Sequence, residues 1–439
     1  MSEDAVLLLN VGTGDKQHKE HSDYVDVLIK AVNNSGASEI VVVHSQNPTS
    51  QDIVEQLKLR LNEKYKVNIA QLPSRQMEFD ADDCYMWFDE LLKKYTDRHI
   101  IVDISHGTKA MSAALYAVGL HYNIMDYQYA VKKSDGKDGF ITGAEIIKDF
   151  DASYARWRGV LKQCQTLFAA RQYRAVKEIV LNEKTPKKLK NIVEKCVMLS
   201  DFCSAFDRFD YKGAMDNMVE FSIPELNYRY DENLKGYVKY LADEIKVPDD
   251  GTGKVVSEDF LKSNIDKAIN LMFDLYANGL RRLDNAQNED AGIRAYKMAE
   301  LLGQIHLMNA GYMSDHMSSS DEKIRRFAAR NGIRTSENSD IYPSHIFNRT
   351  TVIRFLSDIN YDKEVTSYLE KVDGRVKSLR NKSILVHGYT ARAVEAQGLA
   401  ELFDELIAQT KYFISEEEFN KKMQTAMFLN NNFKAEKYE

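Results

Sequence analysis

Apolar and polar positions in the first 150 residues follow two alternating patterns. Ala5–Val11 (AVLLLNV), Glu39–His44 (EIVVVH), Val67–Leu72 and His99–Ile104 (HIIVDI) are short, nearly unbroken apolar runs. Such runs read as parallel strands covered on both faces. Between them lie stretches with helical spacing: Tyr24–Val32, residues 50–64 with Ile53, Val54, Leu57 and Leu61, Asp82–Tyr95, and Ala110–His121. Tyr127–Val131 and Phe140–Ile147, on either side of Ser134-Asp135-Gly136, predict a closing pair of strands. The strand–helix alternation predicts an α/β domain on a parallel sheet with right-handed crossovers.

Beyond residue 150 the strand pattern stops. From Ala152 to about Lys246 the spacing is helical, and Pro248-Asp249-Asp250-Gly251-Thr252-Gly253 is the strongest loop signal in the chain. Ser257–Asp284, Ala291–Met308 and Glu364–Thr390 then read as long helices, with Ser314–Ser344 as a polar, irregular loop. The expected organisation is an α/β domain over 1–150, an all-α linker domain over 151–255 and an all-α domain over 256–439. The 439 residues suit two or three domains.

Composition narrows the class. Hydrophobic residues are 44% and charged residues 28%, as in ordinary globular proteins. No apolar run approaches the ~20 residues that span a bilayer, and the acidic start Met1-Ser2-Glu3-Asp4 is unlike a signal peptide. A cytoplasmic protein without a membrane partner is expected. Cys84, Cys164, Cys196 and Cys203 form no CxxC pair and no zinc spacing, so they read as reduced, structural thiols, and no metal site is expected. The net charge of −7 argues against general nucleic-acid coating. Two segments run against it. Lys323–Arg334 carries five positive charges and reads as a solvated face. Lys371–Arg392 carries six positive charges and one acid, Asp373.

In an open parallel sheet, ligands bind beyond the carboxyl ends of the strands. Those ends share a chemistry here. The first leads into Asn10-Val11-Gly12-Thr13-Gly14, the second into His44-Ser45-Gln46-Asn47, the third into Ser74-Arg75-Gln76, and the fourth into Ser105-His106-Gly107-Thr108-Lys109 at the start of a helix. Glycine lets a ligand approach the backbone, and helix N-terminal amides attract phosphate. Any one loop read alone is a turn and helix cap. Two such loops on neighbouring strands point to a nucleotide-phosphate pocket. Neither GxGxxG nor GxxxxGK[ST] is present.

The second candidate is Arg380-Asn381-Lys382-Ser383-Ile384-Leu385-Val386-His387. Of ten histidines, only His387 has an arginine five to seven residues before it. Val365, Tyr368, Leu369, Val372, Val376, Leu379 and Val386 form an apolar stripe, and Arg380 and His387 share a different face, with Asp373 and Lys377. The pair suits RNA cleavage, in which the ribose 2′-hydroxyl attacks the adjacent phosphate. Histidine moves protons near neutral pH. Arginine offers a permanent forked charge to phosphate oxygens, and Asn381 could position the phosphate or hold His387. The products would carry 2′,3′-cyclic phosphate and 5′-hydroxyl ends. The plainer reading is an exposed arginine and a capping histidine before Gly388.

Together the Asn10-Val11-Gly12-Thr13-Gly14 loop, the Ser105-His106-Gly107-Thr108-Lys109 loop and the Arg380-Asn381…His387 element resemble the type III CRISPR-associated ribonucleases that join a CARF domain, a Rossmann-like fold, to a helical HEPN domain. The chain looks most like the III-A subtype. The resemblance covers the whole architecture and about twenty residues in motif. It implies a metal-independent, single-stranded RNA endoribonuclease with Arg380, Asn381 and His387 as catalytic residues. It implies a homodimer whose paired CARF domains hold one cyclic oligoadenylate as allosteric activator, hexa-adenylate rather than tetra-adenylate, with no other cofactor. Ring-binding positions are Gly12, Thr13, His106, Gly107, Thr108 and Lys109 by resemblance; Asn10, Gly14, Gln46, Asn47, Arg75, Gln76 and Ser105 follow from the strand ends and motif loops. Thr13 and His106 would serve a secondary ring-nuclease activity. No stable association with the CRISPR effector complex is expected. The competing readings are a CARF-containing transcription regulator, which would need a basic recognition helix not evident here, and a non-catalytic cyclic-nucleotide-binding protein.

Overall fold

The four apolar runs become four adjacent strands. In the computed structural model, which describes residues 5–13, 21–61, 64–131, 145–183, 185–243, 258–314, 317–318, 321–333, 344–345, 347–382 and 396–433 (without side chains at 21–22, 318, 344–345, 379–382 and 396), these are β1 (Ala5–Val11), β2 (Glu39–His44), β3 (Lys66–Gln71) and β4 (His99–Asp103). β5 (Asp126–Val131) and β6 (Ile146–Asp151) complete the sheet in the order β3-β2-β1-β4-β5-β6. All neighbours are parallel except β5 and β6. Every residue of β1 and β2 is buried, which is why their sequences lack alternation.

Both faces of the sheet are covered. Leu7, Leu9, Val11, Ile40 and Val42 pack under α1 (His21–Ser35) and α2 (Pro48–Leu61), through Val25, Leu28, Val32, Ile53 and Leu57. Val6, Leu8, Val41, Val43 and Val102 pack under α3 (Ala81–Leu92) and α4 (Lys109–His121), through Phe88, Leu92, Met111, Leu115 and Val118. The closing strand differs from its expected place at Phe140–Ile147: the described strand begins at Ile146 and runs to Asp151, and 140–144 lie outside the described residues. As an edge strand paired on one side, β6 tolerates Lys148, Asp149 and Asp151, so apolar pattern marks it poorly.

The chain divides by its contacts into two units, Met1–Val160 with Lys184–Lys188, and Leu161–Glu183 with Leu189–Glu439. The boundary falls within α5 (Ser153–Ala169). The second unit contains α6 (Tyr173–Asn182), α7 (Lys190–Asp207), α8 (Tyr211–Asp216), α9 (Glu232–Ala242), α10 (Glu258–Asp284), α11 (Asn288–Asn309), α12 (Glu322–Asn331), α13 (Arg349–Asp358), α14 (Lys363–Lys382), α15 (Ala396–Ala408), α16 (Glu416–Ala426) and α17 (Phe428–Asn432). A two-residue pair of strands, Met317–Ser318 with Ser344–His345, is β7 and β8. The long α10 and α11 pack together, and α11 also packs on α13, α14 and α15.

The segment expected to be an irregular loop, Ser314–Ser344, contains α12. It is capped by the Asp321 carboxylate at one end and by left-handed Gly332 at the other, and it buries Ile324, Phe327 and Ala328. A ten-residue helix with three buried positions gives little apolar signal among its charges. Its arginines face outward, as expected of a solvated face: Arg326 pairs with Glu322, and Arg330 with Asp358 at 2.7 Å. The four cysteines are free and buried.

His306 on α11 is 2% exposed and lies against the rings of Tyr361, Tyr412 and Phe413. Burial holds its imidazole down at about 4. The unfolded chain therefore binds a proton there between pH 6.5 and 4 while the folded chain does not, and this group removes stability as pH falls through that window. The loss is up to about 3 kcal/mol. Unfolding of His306→Phe and wild type, followed by circular dichroism from pH 7.5 to 4, should show the variant gaining on the wild type as pH falls. A constant difference would contradict the assignment. Burial pushes Asp274 up to about 6 with the opposite sign of linkage, but it is common to both proteins and cancels in the comparison.

Candidate functional site

The carboxyl ends of the strands open into a cavity of about 520 Å³, lined by Gly12, Thr13, Tyr24, Val27, Asn47, Arg75, Glu78, Phe79, Ser105, His106, Gly107, Thr108, Ala130 and Glu145. It lies where β1 and β4 are neighbours and their following helices cover opposite faces, the switch point of the sheet.

The loop after β4 is set by buried polar groups. Asp103, fully buried at the end of the strand, accepts from the Ser105 amide and from Gln128 Nε2, each at 2.8 Å. The Ser105 hydroxyl accepts from the Ala130 amide at 2.6 Å. Gly107 takes φ +86°, a conformation that favours glycine. A Cβ there would stand 3.0 Å from Asn10 Cβ, and one on Gly12 would stand 3.2 Å from Gly107 Cα. The two loops touch glycine to glycine, so a ligand meets backbone rather than side chains. Thr108 caps α4 by accepting from the Met111 amide at 3.2 Å, and its hydroxyl donates to the Glu78 carbonyl. The α4 N-terminus thus faces the cavity as an anion-attracting end.

On the α1 side, the Tyr24 hydroxyl accepts from the Gly12 amide at 3.4 Å, and its ring meets His106 edge-on at 5.3 Å. Burial pushes the Tyr24 phenol well above its ordinary range, so it remains protonated. His44, buried beneath the loops, is held below its ordinary value by burial and stands 2.7 Å from the Ser45 carbonyl. Arg75 is exposed, with its Nε 3.8 Å from the buried Glu78 carboxylate.

Among the residues anticipated for ligand binding, the cavity gathers Gly12, Thr13, Asn47, Arg75, Ser105, His106, Gly107 and Thr108. Asn47 also accepts from the Thr49 amide at 3.0 Å at the start of α2. Asn10 is fully buried beside Gly107, behind the lining, and its side-chain amide has no hydrogen-bond partner among the described residues. Gln46, Gln76 and Lys109 are outside the lining; Gln46 Nε2 donates to the Pro73 carbonyl at 2.7 Å, and Gln76 and Lys109 are exposed. Gly14 lies outside the described residues. Tyr24, Val27, Glu78, Phe79, Ala130 and Glu145 line the cavity without having been anticipated. Tyr24 and Val27 were legible as one face of a helix, but nothing in their spacing says that the face meets a ligand.

The second candidate lies on α14, where Leu369, Val372 and Val376 are buried. Asp373, also buried, accepts from Arg349 at 2.6 Å and pairs with Lys377 at 2.7 Å. The Arg349 guanidinium sits 4.4 Å from the centre of the Tyr296 ring. Arg380 and Asn381 fall in the last turn of α14. His387 lies outside the described residues.

Residues 261–411 match the family model of the Csm6 HEPN domain. The chain is also similar to the solved structure of Enterococcus italicus Csm6 bound to cyclic hexa-2′-fluoro-hexa-dAMP. The TM-score is 0.56 at 14% identity, covering 98% of this chain and 100% of that one. Residues 261–411 thus carry the signature of a Csm6 HEPN domain, and the whole chain shares the fold of that Csm6 structure. No curated protein sequence matches this chain. Its parallel sheet followed by helices is the fold of that structure, with the cavity in the sheet unit and most of α10 and all of α11 to α15 within the HEPN match. Among the described residues, no helix is long and apolar enough to cross a membrane, and no group of three or more His, Cys, Asp or Glu side chains could hold a metal ion.

Proposed function

We propose that this CARF–HEPN protein is a single-stranded RNA endoribonuclease switched on by a cyclic oligoadenylate in the CARF cavity, hexa-adenylate in preference to tetra-adenylate. The observation that carries this is the glycine-to-glycine contact of the Gly12 and Gly107 loops, opening a cavity at the switch point of a chain whose helical unit matches a Csm6 HEPN domain. The backbone at Gly12 and Gly107 and the α4 N-terminus receive phosphate, Arg75 adds charge, and Asn47 offers an amide. A cavity of about 520 Å³ has the scale of one drug-sized ligand, smaller than a ring of adenylates. The ring therefore takes two copies of the cavity in a homodimer, whose two-fold axis suits a symmetric ring. The ring activates by binding the competent arrangement better than the idle one.

In the HEPN unit, His387 manages the protons of 2′-hydroxyl attack, Arg380 stabilises charge on the phosphorane, and Asn381 supports one of them. The substrate supplies its own nucleophile, so the step needs no metal, and it leaves 2′,3′-cyclic phosphate and 5′-hydroxyl ends. Thr13 and His106 lie together in the cavity lining, where they would align a ring 2′-hydroxyl for slow cleavage of the activator. The protein acts in the cytoplasm, apart from the CRISPR effector complex.

The test is cleavage of a fluorophore–quencher single-stranded RNA in EDTA with rings of six and of four adenylates. Strong stimulation by the six-membered ring is expected, with products whose 5′-hydroxyl is phosphorylated directly by a polynucleotide kinase and whose 3′ end resists ligation until the cyclic phosphate is opened and removed. Equal basal rates with and without either ring would refute the activator reading, and cleavage only on adding a divalent metal would refute the metal-independent step.

A further inference from the structure

We infer that Glu145 reads the exocyclic amino group of an adenine in the CARF cavity, and so sets the base specificity of the activator; this rests on the activator being an adenylate ring. Glu145 is 8% exposed and lines the cavity, yet its Oε2 is buried with no hydrogen-bond partner among the described residues. A buried carboxylate oxygen without a donor is costly. Such an orphan in a cavity wall calls for a ligand that brings the donor.

Its place in the fold says which part of a ligand it meets. Glu145 precedes β6, one position before Ile146, which pairs with Val131. By strand alternation it shares a face with Ile147, which packs in the α1 layer, and with Asp149, which accepts from Asn34 of α1 at 2.8 Å. It is therefore on the side of Tyr24 and Val27. A second carboxylate, Glu78, is also buried in the lining, but it lies toward α4, where its carbonyl accepts from Thr108 and Arg75 Nε stands 3.8 Å from its carboxylate. A carboxylate repels phosphate, so the phosphates belong against Gly12, Gly107 and the α4 N-terminus, with Arg75 beside Glu78. On the Tyr24 side, Glu145 faces groups that donate. The adenine edge offers an amino group that only donates, and a carboxylate accepts from such a group as it does from cytosine N4. The lining also carries Phe79, a ring left 71% exposed, on whose face a base can stack.

Ribose hydroxyls donate as well, and the experiment separates the two. Full-length wild type, Glu145→Gln and Glu145→Ala are titrated calorimetrically with three rings: adenylate, one with purine in place of adenine, and 2′-deoxyadenylate, in sizes of six and four. Wild type should bind the adenylate ring about ten-fold or more tightly than the purine ring. Glu145→Ala should bind both alike, Glu145→Gln should keep part of the preference through its amide carbonyl, and the deoxy ring should weaken all three proteins by one factor. Glu145→Ala that still prefers adenine, or that loses a preference for the 2′-hydroxyl instead, overturns the inference while leaving the activator reading in place. A wild type that binds no adenylate ring overturns both. Without ligand, the variants should melt at or above the wild-type temperature, since Glu145→Ala removes a buried oxygen that has no donor among the described residues; a fall of several degrees would make Glu145 a structural residue.

Discussion

His387→Ala should reduce ring-stimulated RNA cleavage by about 10²–10⁴-fold, while ring binding stays at the wild-type level. The size follows from the role: in 2′-hydroxyl transesterification a proton leaves the nucleophile and another reaches the leaving oxygen, and a positioned imidazole serves both. Arg380→Ala should lose a comparable factor through charge on the phosphorane, and Arg380→Lys should recover little, because an ammonium lacks the forked geometry that holds two phosphate oxygens. These losses should not be additive, since the residues act on one transition state. Single-turnover cleavage at saturating ring separates the effect from activation, and calorimetry of the CARF site supplies the control. If His387→Ala cuts RNA at the wild-type rate, the pair is a helix-end feature. The fold around α14 gives reason to expect intact protein in these variants. The helix is fixed two turns earlier, by buried Leu369, Val372 and Val376 and by the Asp373–Arg349 bond, and none of these contacts involves the substituted positions.

The sheet was legible because burial on both faces writes itself as continuous apolar sequence. Ala5–Val11 and Glu39–His44 match their strands residue for residue, and the loops after β1 and β4 meet at glycines that the motif singled out. What pattern alone could not reach were contacts made by tertiary placement. Glu78 and Glu145 sit in polar stretches after β3 and before β6, where acids are unremarkable until the fold turns them inward. Gln46, Gln76 and Lys109 have the chemistry of the cavity residues beside them but point elsewhere, because one position along a turn changes direction completely. Asp103 ends an apolar strand, and its bonds to Ser105 and Gln128 make it a structural residue. The division at 151–255 and 256–439 followed the loop signal at 248–253, which lies outside the described residues, and the helices on its two sides share one unit by their contacts. Beside the rings of Phe202 and Phe206 against Phe428, what joins them is a set of charged residues that carry no sequence periodicity.

That set gives the largest expected stability effect. Asp207, at the end of α7, accepts from Arg281 Nε at 2.8 Å, from Asn278 Nδ2 at 3.1 Å and from Arg282, all on α10. Arg281 is fully buried, and its other contact is to Asn430 of α17 at 2.8 Å. Arg294 of α11 joins through Asn278 Oδ1 at 2.9 Å. Asp207→Ala leaves the Arg281 guanidinium buried without its carboxylate, and breaking a buried pair in this way costs about 3–5 kcal/mol. For a unit of this size that corresponds to a fall of about 10 °C in melting temperature. Asp201→Ala on the same helix removes a half-exposed pair with Lys177 and should cost no more than about 1 kcal/mol, so the contrast tests burial rather than charge. The double variant Asp207→Leu/Arg281→Met should recover part of the loss, because it removes the fully buried guanidinium together with its carboxylate and leaves only Arg282, whose side chain is 15% exposed. If Asp207→Ala melts with Asp201→Ala, the network is dispensable, and apolar packing alone holds α7 to α10. If instead it melts far lower and the double variant recovers, the cost lies in the orphaned guanidinium, and the charges serve to fix one arrangement of α7, α10, α11 and α17.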